Sequence, residues 1–166
     1  MENLLRIKNQ SEYIFSDPSQ FGRQADIFTA CTSNGALRLT TQFISLLEKQ
    51  FPVKSPFTKM KCRFPVDFAV ALSVHVNHLN RCLKDITGKT TSQHIAERII
   101  LEAGMLLHSS KWNVCEIGYC FGFEEGPHFI NFFKKKAKMS PTAYRKMIRS
   151  GIIKIPEFSA QAIYSY

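Results

Sequence analysis

A chain of 166 residues is long enough to bury a proper core, and 45% hydrophobic against 21% charged residues excludes a disordered polyelectrolyte. Most of the net charge of +9 lies in residues 126–166, where eight Lys/Arg face the single acid Glu157; such an end suits a polyanion, nucleic acid first and an anionic membrane surface second, or is a solvated face. There is no apolar run of the roughly 18 residues a spanning helix needs and no signal-peptide opening. The five cysteines (Cys31, Cys62, Cys82, Cys115, Cys120) lack any C-x-x-C pair and fit packed thiols in a reduced, cytoplasmic setting.

Residues 1–35 are the least regular. Asp17-Pro18 predicts a capped helix from about Ser19 to Cys31, and Thr32 to Gly35 is turn chemistry. From Ala36 to Phe51, the spacing of Leu39, Phe43, Leu46, Leu47 and Phe51 predicts an amphipathic helix ended by Pro52. Residues 52–65, with Lys54, Lys59, Lys61 and Arg63, form a basic loop, either solvated or touching phosphates. Pro65 pre-sets a short helix carrying Phe68, Ala69 and Leu72. Ser73-Val74 make a turn, a second helix runs from about Val76 to Thr87, and Gly88 caps it.

Thr90 to Ser92 then opens a helix reaching about His108, roughly 27 Å at ~1.5 Å per residue, in which Gly104 requires a packing reason. After a break at 109–111 come a short apolar helix from Val114 to Cys120 and a turn at Gly122. A longer helix with an aromatic face and a lysine cluster follows, and Ser140-Pro141 starts one more. The tail from residue 150 is apolar with a central Pro156.

The two halves repeat one another. Phe68, Ala69, Leu72, Ser73 and Val74 fall on Ile117, Gly118, Phe121, Gly122 and Phe123. With one extra residue in the second unit, Leu79, Leu83 and Lys84 fall on Phe129, Phe133 and Lys134. A small residue where two helices cross, a turn tolerant of positive φ, and a second helix anchored by one apolar stripe are what a helix-turn-helix requires. Two such readers on one duplex enter the major groove roughly 34 Å apart, which the intervening helix is about long enough to span. Lys84, Lys134 and Lys135, and Thr142 at the start of the last helix, are candidates for phosphate contacts.

Residues 64–149 resemble the DNA-binding unit of AraC/XylS-type transcription regulators. The resemblance rests on H-L-x-R-x-L-K-x-x-T-G at 78–88, R-I-x-x-E-A-x-x-L-L at 98–107, E-I-x-x-x-x-G-F at 116–123, H-F-x-x-F-F-K-K at 128–135 and M-S-P-x-x-Y-R at 139–145. It implies an all-α fold: a seven-helix unit with two helix-turn-helix motifs joined by a long helix, preceded by one to three helices. It divides the chain into a helical extension (1–35), a leading helix and basic loop (36–63), the DNA-binding domain (64–149) and the apolar tail (150–166).

The family's base-reading positions fall on Asn77, Asn80 and Arg81 in the first unit. In the second they fall on Gly126, Pro127, Ile130 and Asn131, with Glu125 and His128 beside them. Asn pairs with adenine and Arg with guanine, at ~1–3 kcal/mol of discrimination per good pair; Ile130 meets a thymine methyl or belongs to the core. His75 stands where a Ser-like cap is usual, and Lys138 stands where a glycine is. The implied partner is double-stranded DNA, with RNA polymerase and a sensor domain or dimer partner as further candidates, and no membrane. No catalytic constellation, metal site or cofactor motif is visible. A non-specific basic interaction module remains the alternative, as does the isolated tail of a longer ligand-sensing regulator.

Overall fold

In the computed structural model, residues 34–151 are described, and they contain seven helices and no strand. These are α1 (Asn34–Glu48), α2 (Pro65–Ala71), α3 (Val76–Thr87), α4 (Thr91–Ser109), α5 (Val114–Cys120), α6 (Gly126–Ala137) and α7 (Pro141–Arg149). The count of seven includes the leading helix, so six lie within 64–149. The helix expected over 19–31 and most of the apolar tail lie outside the described residues. The described residues from Leu39 to Gly151 belong to one compact unit, to which everything below refers.

The helix ends follow from local chemistry. Pro65 occupies the first turn of α2, and the Asp67 carboxylate accepts from the Arg63 and Phe64 backbone N–H groups, both at 2.8 Å. Reciprocal capping boxes open α4 (Thr90 with Gln93) and α5 (Asn113 with Glu116), while Ser140 caps α7. His75 caps α3 after all: its Nδ1 accepts from Asn77 N–H at 3.2 Å, so imidazole does the work expected of a hydroxyl. Gly88 and Gly122 take φ of 72° and 76°. Two non-glycine residues also sit in the left-handed region, Ser73 at 55° and Lys138 at 61°.

The leading helix departs from expectation. It starts two residues earlier than Ala36 and stops at Glu48, three residues short of Phe51. Pro52 disfavours helix at the residue before it, but the stop comes sooner because Gln50 is used elsewhere. Its side chain donates to Cys62 C=O (3.0 Å) and accepts from Cys62 N–H (2.8 Å), closing the loop between them.

The linker helix α4 is the scaffold. α3 and α5 to α7 all pack on it, and Ile95, Ile99, Ala103 and Leu107 are buried along it. Gly104 has its packing reason in α7: a Cβ there would lie 3.0 Å from the Tyr144 hydroxyl oxygen. Arg145, next to it, donates to Leu107 C=O (3.1 Å) and to Trp112 C=O, satisfying carbonyls at the end of α4 and beyond it. In the second unit a chain of tilted and edge-on ring contacts runs Phe121, Phe129, Phe133, Tyr144, with Phe123 edge-on to Phe129 at 5.4 Å. In the first unit, Phe43 of α1 meets Phe68 of α2 edge-on at 5.0 Å, which seats the leading helix against the reader.

Candidate nucleic-acid interface

Each half forms a helix-turn-helix as the repeat requires. α2 and α3 pack through Phe68, Ala69, Leu79 and Leu83, all buried. α5 and α6 pack through Ile117, Gly118, Phe129 and Phe133. The crossing of α5 and α6 admits only glycine, because a Cβ on Gly118 would lie 2.9 Å from the Cβ of Phe129. At Gly126 a Cβ would meet the sulfur of Cys115, an exposed side chain that can turn aside, so the confinement there is weaker. The buried stripes fix which residues of α3 and α6 face outward.

On α3 the outward residues are Asn77, His78, Arg81, Lys84 and Asp85. The Arg81 side chain is 83% exposed and its 3.8 Å contact with Asp85 is water-screened, so that contact holds the guanidinium only weakly. Asn80 is placed differently from expectation. It is half-buried, and its amide oxygen accepts from Thr91 N–H (3.1 Å) and lies 3.4 Å from the Thr91 hydroxyl. With the oxygen committed to the start of α4, this rotamer cannot make a two-bond pair with adenine, which needs both oxygen and NH₂. Asn80 thus positions α4 against α3.

On α6 the exposed residues are Pro127, His128, Asn131, Lys134, Lys135 and Lys136, preceded by Glu124 and Glu125. Ile130 is half-buried. His128 and Glu125 stand 3.8 Å apart, both largely solvated. Asn131, Lys134, Lys135 and Lys138 line one open depression. Lys138 was not among the expected contacts; the signal for it was the lysine in place of a glycine. Thr142 is exposed in the first turn of α7. The two units therefore differ: α3 exposes Asn77 and Arg81, whereas the exposed face of α6 is mostly cationic.

The cysteines divide. Burial raises the thiol pKa of Cys62 and Cys120, which disfavours their thiolates. Cys115, expected to be packed, is exposed. Among the described residues no helix is long and apolar enough to cross a membrane.

The basic loop contains the residue that sequence reasoning missed. Arg63 is half-buried: its Nη1 donates to Gly122 C=O at 2.8 Å, and its guanidinium lies 3.8 Å above the Phe123 ring and 4.9 Å from the Phe64 ring. Burial lowers its pKa, while Glu124 opposes the shift. Nothing in the spacing of a Lys/Arg-rich loop distinguishes it from its solvated neighbours.

Residues 68–147 match the helix-turn-helix domain family. A 68-residue stretch is 38% identical to the MmsAB operon regulatory protein of Pseudomonas aeruginosa, covering 41% of this chain and 22% of that protein. The match thus spans about a fifth of that relative's length. A transcriptional regulator of Chromobacterium violaceum, described as an AraC-type DNA-binding domain-containing protein, superposes with a TM-score of 0.52 at 24% identity. The superposition covers 69% of this chain and 96% of that one. The DNA-binding domain of AdpA, a global transcriptional factor solved in complex with a target DNA, superposes with a TM-score of 0.53 at 21% identity, over 68% and 93% of the two chains.

Proposed function

We propose that the chain is a sequence-specific, double-stranded DNA-binding regulator of transcription of the AraC type, a reading supported by the match of residues 68–147 to the helix-turn-helix domain family. It inserts α3 and α6 into successive segments of the major groove. The observation that carries this reading is the outward face of α3. Asn77 and Arg81 stand exposed there, opposite buried Leu79, Cys82 and Leu83, on a helix braced by the same linker that braces a second, cationic helix.

The roles divide by unit. Arg81 and Asn77 read bases, each well-made pair adding ~1–3 kcal/mol of discrimination. Asn131, with Glu125 and His128, reads more weakly in the second segment. Lys84, Lys134, Lys135, Lys138 and Thr142 hold phosphates and set the register. The binding unit spans residues 64–149, with 36–63 bracing it. Work on cytoplasmic DNA, contact with RNA polymerase, and control by a sensor domain or dimer partner belong to the same reading, which assigns the chain no catalysis.

Selection of bound duplexes from a random pool tests it. One bipartite motif should be enriched at moderate salt. Recovery of no motif, with binding that depends only on salt, would favour a non-specific basic module instead.

A further inference from the structure

The linker helix is usually enough to explain how two readers keep their distance, but distance is not orientation. A second physical connection joins the units here, and it runs through Arg63. The backbone of Arg63 is fixed to the first unit, because its N–H and that of Phe64 both donate to Asp67 in the first turn of α2. The side chain is fixed to the second unit, donating to Gly122 C=O in the α5–α6 turn and placing its guanidinium carbon over the Phe123 ring, 3.8 Å from the centroid. Phe123 in turn packs on Phe129 and Phe132 of α6, the second reading helix. One residue thus spans from the cap of the first motif to the turn of the second.

The loop that carries it is held at three further points. Gln50 clamps both backbone groups of Cys62, the residue before Arg63. Met60 N–H donates to Cys120 C=O at the end of α5, 2.9 Å away. Val53 N–H donates to Glu102 of α4 at 2.8 Å, and Glu102 is itself paired with Arg98, which also binds Glu48 of α1. Arg98 lies 3.9 Å above the Phe51 ring. Residues 48–64 are therefore a strap, bonded to α1, α4, α5 and the cap of α2. Arg63 is the link in it that touches the turn between α5 and α6.

We propose that Arg63 is a positioning residue that fixes the rotation of the second reading helix relative to the first, and so sets the spacing between base-pair segments that the protein accepts. The inference rests on the two-helix DNA reading. One inserted base pair turns the second segment by about 35° and moves it about 3.4 Å along the axis. A pair of readers locked by both linker and strap cannot follow that shift. A pair joined by the linker alone has more freedom to do so.

The test uses the full chain and its selected duplex, with and without one base pair inserted between the two recognised segments. For the unaltered protein the insertion should lower affinity at least about tenfold. For Arg63→Met, which keeps an apolar stem over Phe123 but removes the guanidinium, the loss should shrink to about threefold or less, with weaker binding to the original site. Simple loss of fold stability would lower both affinities together and leave their ratio unchanged, so the ratio isolates positioning. Should the methionine variant fail to fold, Arg63→Lys serves in its place. It keeps the charge and a donor but not the planar guanidinium over Phe123, and its ratio should also fall below that of the unaltered protein. A ratio unchanged in the folded variant overturns the inference while leaving the DNA-binding reading intact. Absence of any selected motif overturns both.

Discussion

Lys138 offers a perturbation in which stability and function should move in opposite directions. It sits at φ 61° at the end of α6, a conformation that costs an L residue about 1–2 kcal/mol. Glycine adopts it freely but loses about 0.5–1 kcal/mol more than other residues through its unfolded-state entropy. The net expected gain for Lys138→Gly is therefore about 0.5–1 kcal/mol, or roughly 2–6 °C in Tm for a domain of this size. The same change removes one of three lysines around the depression beside Asn131. If that lysine neutralises a phosphate, the slope of log affinity against log salt should flatten by about 0.9. Thermal denaturation and salt-titrated duplex binding read the two effects separately. Lys138→Ala is the control, since it removes the charge but keeps the strained backbone: it should lose affinity without the gain in Tm. A glycine variant no more stable than the alanine variant would refute the backbone account. An unchanged salt slope would remove Lys138 from the phosphate contacts.

Other residues give independent tests. Arg81→Ala should relax preference at one or two base positions in a selection experiment; uniform weakening on all duplexes would make Arg81 a phosphate contact instead. Gly118→Ala should destabilise by about 1–3 kcal/mol in urea denaturation, because the new methyl meets the Cβ of Phe129, which moves only with the α6 backbone. The helix-propensity gain of up to about 1 kcal/mol does not offset that, and a stabilised variant would show that the α5–α6 crossing is looser than described. His94 is half-buried with its ring edge-on to Phe43 and its Nε2 2.8 Å from the Thr87 hydroxyl, and this partial burial lowers its pKa. The unfolded chain therefore binds this proton first. Stability should decline as pH falls below about 6.5 and level off below the folded-state value. Denaturation midpoints of His94→Gln across this range should lack that component; an identical pH profile would exclude His94 as its source.

Much of this fold was legible because its helix ends are written locally. Pro65, Thr90, Asn113 and Ser140 start helices, Gly88 and Gly122 end or turn them, and each acts on neighbours within a few residues. Gly104 could be marked as needing a partner, but only the fold supplies Tyr144, forty positions away. What was misjudged is non-local in the same way. α1 stops early because Gln50 reaches Cys62, twelve residues on. Asn80 has the right chemistry for adenine at a base-reading position, yet Thr91 takes its oxygen. Arg63 looks like its solvated neighbours until the fold brings Gly122 and Phe123 beside it, a sequence separation of about sixty. Periodicity and capping are short-range signals, and these contacts are not.

In the proposed binding mode α3 and α6 enter the major groove in consecutive segments, with the first reading more strictly than the second. A methylation-interference footprint on the selected duplex tests it most directly. Two clusters of interfering bases are expected about 10 base pairs apart on one face, the cluster lost or blurred by Arg81→Ala being the more sharply defined. A single cluster, or interference spread evenly along the duplex, would contradict two-helix recognition.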